Sequence, residues 1–291
     1  MQELVQQFLR TYQARLKPST LRDYRSILGL HLSRFSTFEA LSQGLEEYLA
    51  ALEISGKRKN NVLSASRTFV AWAKRRELWE GRLLKVPRFP HRTKATPPLN
   101  PEEARLVMDF SPQPYRDFFQ LSILSGLRTG EALGLQFEDF NQAGKVIHVQ
   151  RSLCCGKVCT TKTLASDRDF PLLRPLWEIY ERRKKWNHRG SPWFFYSPHR
   201  GLLSLGAIRR AWKDFLKVFE IEARPLYATR HTFASLAVAS GEDPLWIAKV
   251  MGHSRPDQLF LKYASYLEGV KPDGEKFLDL VGKKTFLRAI T

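Results

Sequence analysis

Cysteine is scarce in this chain of 291 residues: there are three, all within Cys154-Cys155-Gly156-Lys157-Val158-Cys159. An odd number crowded into one stretch excludes a disulfide framework and fits a reducing compartment. His148 lies nearby, but adjacent cysteines match no common zinc spacing, so no metal is expected. No apolar run is long enough to span a bilayer, and the first twenty residues mix Gln, Glu, Arg and Lys without a signal-peptide core. Both absences predict a cytoplasmic protein with no membrane partner, either nucleoid-associated or viral in a host cytoplasm. Acidic residues are also short, 29 against 47 Lys and Arg, a formal charge of +18. Such an excess points to a polyanionic partner such as nucleic acid. Ribosomal and chromatin proteins share that charge, but seven Trp and 43% hydrophobic residues favour a folded enzyme acting on nucleic acid.

The basic excess is densest at the front, where residues 1–95 hold 18 Lys and Arg against 8 Asp and Glu. Residues 2–13 put Leu4, Val5, Phe8, Leu9 and Tyr12 on one helical face, and Pro18-Ser19-Thr20 opens a second helix showing Leu21, Tyr24, Leu28 and Leu32. Residues 38–54 and 58–79 continue the pattern, which predicts a helical bundle over residues 1–85. Its last helix begins Lys57-Arg58-Lys59-Asn60-Asn61, with Arg67 further along, a start suited to phosphate contacts or simply to solvent. From Arg82 to Asn100 there are four prolines and five basic residues, Arg88, Arg92 and Lys94 among them, and no acid. That composition predicts a semi-extended basic linker, residues 86–100, either a strap along a duplex or an ordinary connector.

Asn100-Pro101-Glu102-Glu103 then starts a second domain, residues 101–268, with a cap, a proline at the first helical position and acids in the first turn. Within it, Leu121 to Phe140 places Arg128 at a junction between two helices. Gly126 can end the first, and Thr129 can cap the second with Glu131 in its first turn. A guanidinium there can fork onto a phosphate, or form a buried Arg128–Glu131 pair that ties the junction together. Lys145–Arg151, Lys157–Thr160 and Arg168–Leu172 read as a three-stranded antiparallel sheet, with Lys162 in the connection before the last strand. Helices over 172–187 and 204–220 flank an extended piece at Trp193–Tyr196. The fold class expected is mainly α with a small antiparallel β-sheet. Residues 269–291 form an apolar C-terminal tail, either docked on its own domain or contacting another protomer.

Five strings stand in order: GLRTGEALGL, the lysine-bearing TKT before SDRDFPL, TRHTFAS, VMGHS, and a tyrosine ten residues after His253. Together they resemble the tyrosine recombinases, in particular the integrases of phages and mobile elements, and the resemblance extends over the whole chain. It implies an N-terminal helical core-binding domain and a mixed α/β catalytic domain. It also implies site-specific recombination of double-stranded DNA through a 3′-phosphotyrosine, without metal or other cofactor, by a homo-tetramer that accessory DNA-bending proteins can assist. Tyr263 would be the nucleophile, with Tyr266 a rival on the same helical face. Arg128 and Arg230 would neutralise the phosphate, Lys162 would protonate the leaving 5′-oxygen, His253 would bond the phosphate, and Glu131 would support the arginines. The family commonly has a histidine three residues before its second arginine. Here Tyr227 stands there, a poorer proton acceptor at neutral pH. Resolvase, telomere-resolvase or topoisomerase-like use of the same chemistry is the alternative, and a catalytically impaired DNA-binding protein is the other.

Overall fold

In the front third, the run from Val62 to Ala73 buries Val62, Leu63, Ala65, Phe69, Val70, Trp72 and Ala73, more of its surface than one amphipathic stripe. That run is the centre of helix α4 (Gly56–Arg75), in the computed structural model, which describes residues 1–82, 84–91, 96–160, 167–187, 190–197 and 201–253. Helices α1 (Gln2–Tyr12), α2 (Pro18–His31) and α3 (Phe38–Ala51) surround it. Phe8 is fully buried, with its ring 4.6–6.1 Å from those of Tyr12, Tyr24, Phe69 and Trp72. Each such side chain contributes roughly 1.5–3 kcal/mol by leaving water. The chain divides into two compact units, Met1–Ala95 with Cys154–Lys157, and Thr96–Leu153 with Val158–Thr291.

The proline-rich stretch, expected as a semi-extended basic linker, is held to the bundle over its first residues. Leu84 and Val86 are buried in the bundle core, and the Arg67 guanidinium donates to the Val86 carbonyl. Asn60 donates to the Phe89 carbonyl at 2.8 Å and accepts the Phe89 N–H at 2.9 Å. An amide side chain that satisfies both backbone groups of one residue fixes an irregular segment as a sheet partner would. Arg92 and Lys94 lie outside the described residues.

The second unit opens with α5 (Pro101–Phe110), whose Asn100–Glu103 capping box is complete. Then come α6 (Tyr115–Ser125) and α7 (Thr129–Leu133). A three-stranded antiparallel sheet follows, but not with the strands expected. Its members are β1 (Phe140–Asn141), β2 (Val146–Val149) and β5 (Arg168–Pro171), in the order β1-β2-β5. β3 (Arg151–Cys154) and β4 (Lys157–Thr160) make a separate two-stranded sheet. The turn between them has φ of 52° at Cys155 and 73° at Gly156, the paired left-handed geometry of a two-residue hairpin turn. That turn sends β4 back along β3 and leaves β2 free to pair with β5.

The chain continues through α8 (Arg174–Trp186), the short pair β6 (Tyr196–Ser197) and β7 (Gly201–Leu202), and α9 (Leu205–Val218). The last described helices are α10 (Ala228–Ala239) and α11 (Pro244–Met251). Phe118, Phe119, Ile147, Phe170, Phe194, Phe195 and Trp212 form the core of this unit. Helix α10 lies against α6 and α11, and α11 against β5, so the end of α6, the start of α7 and the end of α11 meet. No helix among the described residues is long and apolar enough to cross a membrane.

Candidate active site

Gly126 ends α6 with φ of 61°, and a Cβ there would come within 2.4 Å of the Phe233 ring. Only glycine meets both demands. Two residues later the chain re-enters a helix, but the expected cap, Thr129, does not serve. Arg128 occupies the cap position, and the Glu131 Oε2 accepts its backbone N–H at 3.0 Å. The same carboxylate takes the Arg128 side chain, Nη1 to Oε1, at 2.6 Å. A carboxylate in the first turn thus caps the helix and fixes the side chain of the capping residue. At Gly130 a Cβ would meet the Leu153 carbonyl at 2.9 Å, so α7 lies backbone to backbone against β3.

Helix α11 starts at Asp243, whose side chain accepts the Leu245 N–H at 2.9 Å, and ends at Gly252 with φ of 66°. The next N–H, that of His253, donates back to the Ala248 carbonyl at 2.9 Å, closing a left-handed helix end. Carbonyls at a helix end lack helical donors. Here three consecutive ones are taken by three different arginines. Val250 accepts from Arg168 Nε at 2.6 Å, Met251 from Arg230 Nη2 at 2.8 Å, and Gly252 from Arg128 Nη2 at 2.8 Å. Arg230 Nη1 also donates to the Gly126 carbonyl at 2.6 Å, so one guanidinium joins the ends of α6 and α11.

Exposure grades across the cluster. Arg230 is 2% exposed, the Arg168 side chain 6% and the Arg128 side chain 29%, which makes Arg128 the face toward solvent. Burial alone would raise the Glu131 pKa, but Arg168 and then Arg128 outweigh it and hold the carboxyl below the usual range. Burial pushes the Arg230 pKa down, and repulsion from Arg128 and Arg168 adds to this against the pull of Tyr227 and Glu131. Arginine does not lose its proton in a protein, so the strain remains as charge. An anion entering beside Arg128 would relieve it, and helix C-termini favour cations in the meantime.

The structure brings Arg128, Glu131 and Arg230 together and sets His253 directly after the carbonyl that holds Arg128. Tyr227 begins the helix that carries Arg230, 42% exposed, its ring 5.1 Å from that of His231. Lys162, Tyr263 and Tyr266 lie outside the described residues. Sequence reasoning missed Arg168, whose only signal was an arginine at an inward strand position two before Phe170. In the first unit, Lys57 and Arg88 are exposed and Arg58 half-buried. Lys59 donates to the Ala50 carbonyl at 2.9 Å and Arg67 to Val86, so both have roles within the bundle. His148 is paired with Asp169, Nδ1 to Oδ1, at 2.6 Å across the sheet.

Residues 98–267 match the Phage integrase family. The chain belongs to that family. It is 26% identical over 204 residues to the prophage integrase IntR of Escherichia coli, covering 60% of this chain and 49% of IntR. It is 25% identical over 278 residues to the ICEBs1 integrase of Bacillus subtilis, covering 86% of this chain and 74% of that protein. The chain thus spans about half the length of the Escherichia coli relative. The fold is similar to that of the Tn1549 transposon integrase in complex with a circular intermediate DNA, at a TM-score of 0.75 and 17% identity over 94% of this chain and 98% of the other. It is also similar to a lambda integrase dimer bound to a COC′ core site, at a TM-score of 0.69 and 14% identity over 94% and 78%. Mainly helical with small antiparallel sheets, the architecture is that of the family.

Proposed function

We propose that this chain is a site-specific DNA recombinase that cuts and rejoins double-stranded DNA through a 3′-phosphotyrosine. The observation that carries the reading is the set of arginines at the end of α11, where Arg230 is buried and fixed by two carbonyls and Arg128 beside it is held by the Gly252 carbonyl and Glu131 while its side chain still reaches solvent, where a phosphate could meet it. In the step envisaged, Tyr263 releases its hydroxyl proton to water and attacks the scissile phosphorus as the phenolate, the P–O5′ bond breaks, and Lys162 gives its proton to the leaving 5′-oxygen. Arg128 and Arg230 donate to the non-bridging oxygens as charge builds on them, and His253 and Tyr227 complete the hydrogen bonding. Attack of a 5′-hydroxyl on the phosphotyrosine reverses the step and exchanges strands, because the bond energy is kept. Residues 1–85 act as the core-binding domain, with Lys57 and Arg58 toward phosphates, Arg88 in the following linker does the same, and residues 101–268 act as the catalytic domain. A lambda integrase tetramer bound to a Holliday junction, a fold neighbour at a TM-score of 0.67, supports a homo-tetramer on DNA.

The test is denaturant-trapped covalent attachment to nicked duplexes from the DNA flanking its own gene, in chelator and without nucleotide. The expected result is an adduct with the parent and with Tyr266→Phe and none with Tyr263→Phe. Tight DNA binding with no adduct from any of the three would replace the reading with that of a DNA-binding protein.

A further inference from the structure

Arg168 reaches two parts of the site at once. Its Nε donates to the Val250 carbonyl at 2.6 Å and its Nη2 to Glu131 Oε2 at 3.1 Å, while the other Glu131 oxygen holds Arg128. A carboxylate gripped on both oxygens cannot turn without losing one guanidinium. The backbone of Arg168 is fixed in turn, since β5 pairs with β2 in the register Val149↔Arg168. Through Val250 it also holds the end of α11, where the next two carbonyls fix Arg230 and Arg128. A planar fork can make both contacts in one geometry, whereas a lysine ammonium offers a single point charge.

We propose, resting on the recombinase reading above, that Arg168 is a positioning residue for strand cleavage. It acts through Glu131 and the end of α11, and so sets the spacing at which Arg128 and Arg230 meet the phosphate. It takes no part in the bonds made or broken. Misplacing a reacting group by about 1 Å costs on the order of 10²-fold in rate, so small slack at Glu131 is enough to be seen.

The experiment measures the single-turnover rate of adduct formation by the full chain on the same nicked duplexes, at about pH 8 and about pH 5.5, with DNA affinity measured separately. Arg168→Met is expected to slow the adduct by about 10²-fold at the higher pH with DNA affinity unchanged. The loss deepens at the lower pH, because Glu131 then lacks the cation that contributes most to keeping it ionised. Arg168→Lys recovers part of the rate. In a Glu131→Gln background, Arg168→Met costs clearly less than in the parent, the remainder being the part carried through the end of α11. A parent-like rate in Arg168→Met, or the same factor with and without Glu131, overturns the proposal. Should Arg168→Met not fold, the same cycle with Arg168→Lys decides it, and multiplying effects overturn it. A parent that forms no adduct removes the recombinase reading and the inference with it, whereas an active parent with indifferent Arg168 variants removes the inference alone.

Discussion

Among the described residues of the second unit, Arg183 and Arg230 are both buried, and their surroundings are built differently. On α8, Arg183 donates to the carbonyls of Phe194 at 3.1 Å and Tyr196 at 2.7 Å, while Arg182 Nη2 reaches Asp117 at 3.0 Å. Burial lowers the Arg183 pKa there too, and the attraction of Asp117 works against it. At Arg230 burial is joined by repulsion from Arg128 and Arg168, against the pull of Tyr227 and Glu131. Both guanidiniums are tied to backbone carbonyls, so hydrogen bonding does not separate them. Like-charge crowding does. Arg230 shares its site with two further guanidiniums, one of them open to solvent, and that grouping is what the proposed phosphate contact would use.

Substitution at the two arginines draws the contrast most sharply. Arg230→Met is expected to slow adduct formation by at least about 10³-fold. Its unfolding free energy should change by no more than about 1 kcal/mol, since the lost carbonyl bonds are offset by relief of desolvation and repulsion. Arg183→Met should do the reverse. Stability falls by about 2–3 kcal/mol in denaturant unfolding, because two carbonyls and Asp117 lose a buried partner, while the adduct rate per folded molecule is unchanged. Equal stability losses in the two variants would break the comparison.

Acid titration separates the groups further. The folded Glu131 pKa lies below its ordinary 4.5, so its contribution to stability is full above that value and drains away as pH falls toward the folded value. Glu131→Gln should therefore flatten the acid limb of melting temperature against pH, which calorimetry can follow. His31 gives a smaller effect of the same kind. It is 6% exposed, bonded to the Tyr48 hydroxyl at 2.8 Å, and lowered from 6.5 by burial first and then by Arg58 and Arg34. A histidine can shed the proton that an arginine must keep. The unfolded chain then gains a proton as pH drops through about 6.5 while the folded one does not, so stability falls from there down to the folded value. The parent should melt a few degrees lower at about pH 5.5 than at about pH 7.5, and His31→Gln should narrow that gap.

Helices were legible where apolar side chains recur at the helical period, as from Val5 to Tyr12, and where an end is written in side chains, as in Asn100 with Glu103. Gly126 announced the junction that carries Arg128 for the same reason. The sheet was not legible. Strands of two to four residues carry too little alternation to say which pairs with which, and the left-handed pair Cys155-Gly156 decided the matter locally. The cap at α7 was misread because a carboxylate three residues on took the role given to Thr129. The clamp on Phe89 depends on Asn60, 29 positions away, and no local pattern records such a contact. Arg168 escaped notice because its partners are a carbonyl and a carboxylate on other elements.

The three arginines grip α11 by its main chain, at successive residues. Val250 and Met251 sit about 100° apart around the helix and Gly252 lies in the left-handed turn just beyond it, so the three oxygens work as a keyed plug. Inserting or deleting one residue within Pro244–Met251 would turn every oxygen to the wrong socket and unseat all three guanidiniums together. Exchanging the side chains of Val250 or Met251 for others of similar bulk would leave each oxygen where it was. The segment should therefore be permissive to substitution and intolerant of any change in length.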